Sequence, residues 1–464
     1  MYEHDTIAAV ATPPGQGGVA IVSVSGPSAD VIAQQIFVPR HPRERFQTHH
    51  VYHGNLNQPL NRRPIDNGLL VIMRAPRSYT GETVVEFHCH GGSLLPRRIL
   101  EAVLHQGARL AGPGEFTKRA FLNDRLDLSQ AEAVLDLIHA KSDQGLAIAW
   151  EQLSGRLSQV YGSLRERLVR LIAHLEAFLD FPDEDIPEKD QDEILQDIQV
   201  LLKDIVEVAA TFTHGKIFRD GVRTVIIGKP NVGKSSLMNL LAGTERAIVT
   251  AIPGTTRDIL EETVVVNGIP LVVWDTAGLR STTDEVERIG VERAKVGIQE
   301  AELVLAVFDS SRPFDLEDED VCAAIGDKQA IIILNKVDLP TAFDTNEIKR
   351  RYPARPLVHM SVTNAIEIDT LRVLIQSTVF GASSLLKNNS QESGVIVTQI
   401  RHRDALTKAA QCLRQSQEGL QINIPLDLVA VDLRAALDHI GEITGHVSSE
   451  DILDRIFQEF CIGK

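Results

Sequence analysis

The sequence predicts a multidomain α/β protein in which a compact α/β domain is inserted into a helical domain. Residues 1–122 carry short apolar strand patterns punctuated by glycine and proline. Helix-period apolar stripes occupy two separate stretches, 123–220 and 381–464. Between them, strands and helices alternate through residues 221–380, which is the order of a parallel sheet with helical crossovers. A compact insert with adjacent termini makes this arrangement physically easy.

The composition limits the class of protein. A length of 464 residues suits two to four domains, and 43% hydrophobic with 24% charged residues is typical of soluble globular chains. We find no apolar run of membrane-spanning length and no signal-peptide layout. Four scattered cysteines offer no disulfide framework, which favours a cytoplasmic protein. The net charge of −16 argues against non-specific coating of nucleic acid.

Periodicity and turn residues predict the individual elements. We expect strands at 6–12, 18–24, 69–73, 84–88, 264–266, 271–274, 303–308, 331–334 and 357–360. We expect helices at 27–37, 94–105, 193–208, 401–417, 426–440 and 449–460. Apolar residues that step by three or four from Leu146 to Phe178 predict one very long helix, packed against sibling helices and ended by Pro182. The acidic run 315–320 is interpreted as a solvated loop.

A phosphate-binding loop follows the apolar, β-branched strand expected at 225–227. Residues 228–235 fit the pattern G-x-x-x-x-G-K-S/T position for position. The glycines let backbone N–H groups close around phosphate oxygens, and the next helix offers its positive N-terminus. Lys234 is expected to reach the β- and γ-phosphates, and the Ser235 hydroxyl to ligate Mg²⁺.

Three further motifs follow in order. A threonine within residues 250–258 can place its oxygens on Mg²⁺ and the γ-phosphate. Asp275, which follows an apolar strand, suits the outer shell of Mg²⁺, and the Gly278 N–H can bind the γ-phosphate. Asp338 in Asn-Lys-Val-Asp can accept both N–H donors of guanine, which adenine does not offer. Four motifs in this order, each at the carboxyl end of a strand, predict a Ras-like P-loop GTPase domain.

The residue after Asp-Thr-Ala-Gly is Leu279, where Ras-like enzymes use a glutamine to orient water. Leucine has no hydrogen-bonding group, so hydrolysis needs another device. One candidate is an acidic residue within 283–288, although that segment also suits a simple charged switch. Another is a monovalent cation held by the Asn231 amide oxygen against the phosphates.

Two histidines on one strand raise the question of a metal. His88 and His90 lie on one face of the predicted strand, and Cys89 faces the other way. Because no third ligand lies nearby in the sequence, a structural or ligand-lining role is favoured over a metal site.

Longer motifs connect the chain to a known family. They cover residues 11–26 (ATPPGQGGVAIVSVSG), 78–92 (SYTGETVVEFHCHGG), 113–133 (PGEFTKRAFLNDRLDLSQAEA), 180–186 (DFPDEDI), 275–290 (DTAGLRSTTDEVERIG) and the terminal FQEFCIGK. With the phosphate loop and TAIPGTTRD, they make the chain resemble the MnmE (TrmE) family of tRNA modification GTPases over essentially its full length.

The resemblance implies a partner set and a reaction. Such proteins form homodimers through the N-terminal domain, which binds a 5-formyltetrahydrofolate-type one-carbon donor. With the flavoprotein MnmG (GidA), in a heterotetramer, they install a carboxymethylaminomethyl or aminomethyl-type group at C5 of the wobble uridine of certain tRNAs. The resemblance further implies a GTPase that needs Mg²⁺ and is activated by K⁺ and by dimerisation of its G domains.

The resemblance also implies roles for single residues. Those expected around GTP are Asn231, Val232, Gly233, Lys234, Ser235, Ser236, Thr250, Ala251, Ile252, Pro253, Gly254, Thr255, Thr256, Asp275, Thr276, Ala277, Gly278, Asn335, Lys336, Asp338 and Ser361. Those expected to hold K⁺ are Asn231, Thr250, Ile252 and Thr255, and those expected to ligate Mg²⁺ are Ser235 and Thr256. Glu287 is expected to position the hydrolytic water, with Arg257, Asp258 and Arg280 in the switches and Arg280 counted among the catalytic residues.

The expected folate residues are Ser23, Glu86, Arg125 and Lys464. Ser23 and Gln16 stand where relatives can carry arginine, so a cationic contact to the ligand is missing. Cys461 corresponds to a thiol with a suspected catalytic role. Basic neighbours can favour its reactive thiolate form, although a cysteine beside Phe460 is also an ordinary small hydrophobe. The C-terminal Cys-Ile-Gly-Lys fits a prenylation signal poorly.

Two other functional classes compete with this interpretation. A ribosome-assembly GTPase would need a basic RNA-binding module such as a KH domain, and we find no Gly-x-x-Gly loop in a basic setting. A membrane-remodelling GTPase is suggested by the long amphipathic helix, but its polar face mixes both charge signs.

Overall fold

The computed structural model describes residues 5–42, 45–180, 191–243, 261–274, 297, 299–381, 395–447 and 450–464. Its contacts divide the chain into two compact units. The first contains Met1–Leu135, Gln152–Leu201 and Lys408–Lys464, and the second contains Asp136–Glu151 and Leu202–Thr407. The domain limits at 122, 220 and 380 stay predictions.

Strands and helices follow the predicted order closely. The strands are β1 (Ile7–Val10), β2 (Val19–Ser25), β3 (Phe37–Pro39), β4 (His50–Asn57), β5 (Pro64–Met73), β6 (Val84–His90), β7 (Arg109–Leu110), β8 (Val222–Ile227), β9 (Glu261–Val266), β10 (Ile269–Trp274), β11 (Leu303–Asp309), β12 (Ala330–Asn335) and β13 (Leu357–His359). The helices in the described residues are α1 (Ala29–Ile36), α2 (Leu94–Leu104), α3 (Glu115–Leu122), α4 (Leu128–Ile138), α5 (Asp143–Leu153), α6 (Arg156–Asp180), α7 (Gln191–Ala210), α8 (Phe212–Asp220), α9 (Lys234–Ala242), α10 (Leu316–Ile325), α11 (Thr345–Arg351), α12 (Ile368–Phe380), α13 (Ile400–Gln421), α14 (Leu426–Thr444) and α15 (Glu450–Gln458). Within the described part of the chain, no helix is both long and apolar enough to cross a membrane.

The first unit is built on a seven-stranded sheet with the spatial order β3-β4-β5-β6-β2-β1-β7. Its strand pairs are antiparallel except β1 with β7, which is parallel. Helices α1 and α2 bury their apolar residues on one face of this sheet. Along β6 the side chains alternate as a pleated strand requires: Val85, Phe87 and Cys89 join that core, while Glu86 and His88 lie on the other face.

A buried arginine connects three segments of this unit. Arg119 on α3 is 1% exposed, and its guanidinium pairs with Asp5 at 2.6 Å, Glu82 at 3.1 Å and Glu115 at 3.1 Å. A buried cation is tolerated only with such partners, and deleting it would leave carboxylates without their cation. Arg119 therefore fastens the loop before β6 and the start of β1 to α3.

The prediction of one continuous helix from Leu146 to Phe178 is wrong. Helix α5 ends at Leu153, and α6 begins at Arg156. Gly155 between them has φ +86° and donates its N–H to the Gln152 carbonyl at 2.9 Å, which is how a glycine ends a helix. Because Leu153 and Leu157 are four residues apart, the apolar spacing continues across the break and hides it. The predicted packing of the longer helix, α6, against a sibling helix is confirmed, and that sibling is α14.

The second unit is built on a six-stranded sheet with the order β13-β12-β11-β8-β10-β9. Every pair is parallel except β10 with β9. The central strand β8 is buried on both faces, with Ile226 in one apolar core and Val225 and Ile227 in the other, as expected of a parallel strand covered by helices. The predicted multidomain α/β fold, with its Ras-like parallel sheet, is confirmed.

The acidic run 315–320 is not the solvated loop expected from its charge. It caps and begins α10: the Asp315 carboxylate accepts the N–H groups of Glu317 and Asp318, and the Asp318 carboxylate accepts the N–H of Asp315 in a capping box. Acidic residues in the first turn also suit the positive end of the helix dipole. A run of acidic residues has the same charge whether it lies in a loop or caps a helix, so charge alone does not distinguish the two.

Candidate functional site

The phosphate loop leaves the carboxyl end of β8 in a backbone shape that requires its glycines. Gly228 has φ +151° and Gly233 has φ +108°. A Cβ at Gly228 would lie 2.3 Å from the Val307 carbonyl oxygen, and one at Gly233 would lie 2.3 Å from the Asn335 side-chain nitrogen. Asn231, between them, also has a positive φ of +63°, which asparagine tolerates better than most residues.

The lysine of the phosphate loop, Lys234, donates hydrogen bonds to the backbone at the start of the same loop. Lys234 Nζ donates to the carbonyl oxygens of Gly228 at 2.9 Å and Lys229 at 2.7 Å. Lys234 is also the first residue of α9, and the next two residues, Ser235 and Ser236, are exposed. A helix N-terminus with an exposed hydroxyl and a nearby ammonium suits a nucleotide phosphate and its Mg²⁺.

A second loop leaves the carboxyl end of β12 and is tied to the phosphate loop. The buried Asn335 side chain donates from Nδ2 to the Val232 carbonyl at 2.7 Å and accepts the Val362 N–H on Oδ1 at 3.0 Å. One amide thus joins the phosphate loop, its own loop and the loop after β13. The exposed Asp338 follows three residues later, so its carboxylate is available to a base.

The lysine of this second loop is held by a carboxylate from β11. Lys336 Nζ lies 2.6 Å from Asp309 Oδ2, and Asp309 also accepts the N–H and hydroxyl of Ser311. Burial raises the pKa of Asp309, but the bonds from Lys336 and Ser311 outweigh it and lower that pKa below its usual value. The carboxylate is therefore ionised at neutral pH and fixes Lys336 beside the loop.

Ser361 lies just after β13, at the same edge of the sheet as the two loops. It is fully buried, its hydroxyl accepts the Asn364 N–H at 3.3 Å, and its carbonyl accepts the Ile366 N–H at 3.0 Å. The structure therefore places nine predicted nucleotide residues at the carboxyl ends of adjacent parallel strands: Asn231, Val232, Gly233, Lys234, Ser235, Ser236, Asn335, Lys336 and Asp338, with Ser361 beside them.

The predicted switch residues lie outside the described residues. They are Thr250, Ala251, Ile252, Pro253, Gly254, Thr255, Thr256, Arg257, Asp258, Asp275, Thr276, Ala277, Gly278, Leu279, Arg280 and Glu287. Their roles stay predictions.

In the first unit, two predicted folate residues face each other across neighbouring strands. Ser23 on β2 pairs in register with Glu86 on β6, on the sheet face opposite the core of α1 and α2. Glu86 Oε2 lies 3.0 Å from His88 Nε2, and His90 instead contacts Asp66 at 2.9 Å. Among the described residues no group of three His, Cys, Asp or Glu side chains forms a metal site.

The other two predicted folate residues approach this region from distant parts of the chain. The Lys464 carbonyl accepts the Phe116 N–H at 3.2 Å, and Gly463, with φ +101°, sits so close that a Cβ would lie 2.6 Å from the Val10 carbonyl. Val10 ends β1, the strand beside β2. The C-terminal tail therefore docks one strand away from Ser23.

Arg125 borders the same sheet face through the loop before β6. Its side chain lies 3.3 Å from the place a Cβ would take on Gly81. The adjacent Thr80 hydroxyl bonds the Ser25 hydroxyl at 2.8 Å, and Ser25 follows Ser23 by two residues on β2. Cys461, in the same tail as Lys464, is exposed, and its carbonyl accepts the Gly114 N–H at 3.4 Å.

Sequence reasoning missed the side chains that support these sites. Asp309 pairs with Lys336 on the second loop, and Asp318 pairs with Lys229 on the phosphate loop. His88, for which the sequence favoured a structural or ligand-lining role, pairs with Glu86. Each has an oppositely charged or hydrogen-bonding partner, but most of the partners are far away in sequence. Only the pair of His88 and Glu86, two residues apart on one strand face, carried a local signal.

Comparisons with known proteins agree with this geometry. The family described as "MnmE helical domain" matches residues 128–461, and the one described as "GTP-binding protein TrmE N-terminus" matches residues 6–125. The tRNA modification GTPase MnmE of Natranaerobius thermophilus is 45% identical over 461 residues, covering 99% of this chain and 100% of that protein. The protein of the same name from Geobacter sulfurreducens is 46% identical over 464 residues, covering 100% of both chains. A phosphate loop and an Asn-Lys-Val-Asp loop lie on one sheet edge. Together with the similarity to these proteins from end to end, they lead to one conclusion: the chain belongs to the MnmE family of tRNA modification GTPases and is a GTP hydrolase.

Proposed function

We propose that this protein is a K⁺-activated GTPase that works with the flavoprotein MnmG on the wobble uridine of certain tRNAs. The pair would install a carboxymethylaminomethyl or aminomethyl-type group at C5, using a one-carbon tetrahydrofolate donor. The observation that carries the GTPase part is the bond from Asn335 Nδ2 to the Val232 carbonyl at 2.7 Å, because it joins the phosphate loop to the base-reading loop.

In the nucleotide site, each loop has a distinct task. Lys234 would exchange its two carbonyl partners, on Gly228 and Lys229, for oxygens of the β- and γ-phosphates. The Asp338 carboxylate would accept the two N–H groups of guanine. Mg²⁺, held by Ser235 and Thr256, would neutralise charge on the phosphates.

Hydrolysis would depend on groups other than a Ras-like glutamine, since Leu279 stands in its place. We assign the positioning of water to Glu287 and a supporting switch role to Arg280. Asn231, with the carbonyls of Thr250 and Ile252 and with Thr255, would hold K⁺. That cation would stabilise the charge that develops on the phosphates during transfer.

The N-terminal unit would hold the folate between β2, β6 and the C-terminal tail. Glu86 and Ser23 lie opposite each other in register. Arg125 and Lys464 would supply positive charge for the glutamate part of the ligand. Cys461, exposed in the same tail, is proposed as a reactive thiol at this site.

The assembly we propose is supported by membership of the MnmE family. The chain would form a homodimer through its N-terminal domain (1–122) and a heterotetramer with MnmG in the cytoplasm. The helical domain (123–220 with 381–464) would carry the inserted GTPase domain (221–380). GTP-driven pairing of the two GTPase domains would then be transmitted to the tRNA-modifying complex.

The test of the GTPase part compares hydrolysis rates in K⁺ and Na⁺ at equal ionic strength. We expect strong stimulation by K⁺, and loss of that stimulation in Asn231→Ala with GDP binding largely kept. Equal rates in the two salts would refute K⁺ activation while leaving GTP hydrolysis itself intact.

The test of the folate part is a titration with 5-formyltetrahydrofolate followed by calorimetry. Glu86→Gln and Lys464→Met should each weaken binding about tenfold, the loss expected from one charged hydrogen bond. Glu101→Gln, on α2 and therefore on the covered face of the sheet, is the matched control. Unchanged affinity in both site variants would refute this placement.

A further inference from the structure

The phosphate loop contains a second lysine, Lys229, whose ammonium pairs with carboxylates of another element. Lys229 Nζ lies 2.8 Å from Asp315 Oδ2 and 2.7 Å from Asp318 Oδ2. The Lys229 side chain is 11% exposed and that of Asp318 is 3% exposed, while Asp315 is 55% exposed. The contact is thus a largely buried ion pair between the phosphate loop and the first turn of α10.

The two carboxylates are themselves held rigidly. Asp315 and Asp318 form the capping box of α10, in which each side chain accepts the backbone N–H of the other residue. A capped first turn leaves little freedom to either side chain. The Lys229 ammonium is therefore bound to a fixed point of the fold.

The backbone of Lys229 takes part in the nucleotide site directly. Its carbonyl oxygen accepts a hydrogen bond from Lys234 Nζ at 2.7 Å. Side chain and carbonyl belong to one residue, so fixing the ammonium restricts where that carbonyl can lie. On the other side of the loop apex, the Val232 carbonyl is bound by Asn335. The apex, Pro230-Asn231, is thus anchored on both sides.

We propose that Lys229 is a positioning residue of the GTPase, whose ion pair with Asp315 and Asp318 holds the phosphate loop in its nucleotide-binding shape. Lys229 acts through the loop backbone and Lys234 and does not contact the phosphates itself. The inference rests on the GTP site described above, and it assigns α10 a task in nucleotide affinity.

The test measures the affinity for a fluorescent GDP analogue (mant-GDP), together with kcat and KM for GTP, on the full-length protein. Lys229→Met keeps the length of the side chain and removes its charge. We expect the Kd for mant-GDP and the KM for GTP to rise about tenfold, which is about 1.4 kcal/mol, with kcat at saturating GTP within about twofold of wild type. Lys229→Arg should restore tight binding because it keeps the charge.

Variants of the partners separate this role from the alternatives. Asp315→Asn keeps a good helix cap and loses one charge, so it should weaken binding about threefold without unfolding α10. Asp318→Asn should weaken it further, and combining it with Lys229→Met should add little to the loss, as expected for partners in one interaction. Lys349→Met, at an exposed lysine on α11, is the control and should bind like wild type.

Two results would overturn the proposal. If Lys229→Met lowers the melting temperature and leaves the Kd unchanged, the ion pair stabilises the fold only. If Asp318→Asn tightens binding while Lys229→Met weakens it, Lys229 contacts the phosphates and the carboxylates compete with them. Failure of the wild-type protein to bind mant-GDP would instead refute the GTP site itself, so the two failures are distinguishable.

Discussion

Replacing Asn335 by alanine should weaken GTP and GDP binding, because the Asn335 side chain holds the phosphate loop through a hydrogen bond to the Val232 carbonyl. The Asn335 amide is 3% exposed and makes two bonds to backbone groups, the Val232 carbonyl at 2.7 Å and the Val362 N–H at 3.0 Å. Alanine supplies neither partner. Both backbone groups would lose their hydrogen bond within a crowded site, since even a Cβ at Gly233 would lie only 2.3 Å from the same amide nitrogen.

The magnitude follows from the two lost bonds. A buried backbone group left without its partner costs about 1–3 kcal/mol, so the pair amounts to about 2–6 kcal/mol. Part of this cost falls on the nucleotide-free protein as well and cancels in binding. Relaxation and hydration of the free loop limit that part. We therefore expect about 2–4 kcal/mol to appear in binding, which is a roughly 30- to 1,000-fold increase in Kd.

The assay is a mant-GDP titration at 25 °C with a thermal melt of the same sample. Asn335→Asp keeps the oxygen that accepts the Val362 N–H, but turns an anionic oxygen toward the Val232 carbonyl, so it should bind at least as weakly as Asn335→Ala. Asn346→Ala, at an exposed position on α11, should behave like wild type. A Kd for Asn335→Ala within threefold of wild type would show that the loop keeps its shape without this amide, and the argument would fail.

Three further outcomes are expected. Asp338→Asn should shift the preference from guanine toward xanthine nucleotides, because the amide offers one acceptor and one donor in place of two acceptors; competition of GDP and XDP against mant-GDP measures this, and intact GDP affinity would contradict the assignment. Glu287→Ala should keep GTP binding and slow single-turnover hydrolysis by about 10²- to 10⁴-fold, and unchanged turnover would remove its role in positioning water. Burial raises the pKa of Glu115, but bonds from Arg109 and Arg119 outweigh it and lower that pKa to about 2. Since the folded-state pKa is depressed, Glu115 contributes about 3 kcal/mol to the free energy of unfolding above pH 4.5, and this contribution is lost as the pH falls toward 2. In denaturant titrations at acid pH, Glu115→Gln should therefore lose less stability over this range than wild type. Equal losses in the two proteins would contradict the shift.

The local sequence was sufficient wherever a short motif dictates its own geometry. The glycines of the phosphate loop predict positive φ angles and close approaches of neighbouring atoms, and the structure shows both at Gly228 and Gly233. Strand and helix periods located most elements within a few residues. The sequence patterns did not predict β3, β4, β7, α3, α4 or α8. Two other departures were local features that periodicity does not encode: Gly155 ends a helix without interrupting its apolar spacing, and Asp315 begins a helix in a run that was interpreted as a loop.

By itself, then, the sequence determined the fold class, the four GTPase motifs and the family. Only the tertiary structure decided which side chains hold those motifs in place. Lys229 meets Asp318 across 89 positions, Asn335 meets Val232 across 103, and the C-terminal Gly463 meets Val10 from the other end of the chain. The physical reason is that the residues next to a charged or amide side chain in the sequence do not indicate which distant residue it will contact. The partner is set by strand order and by the edge of the sheet at which two loops emerge, and these exist only once the chain has folded.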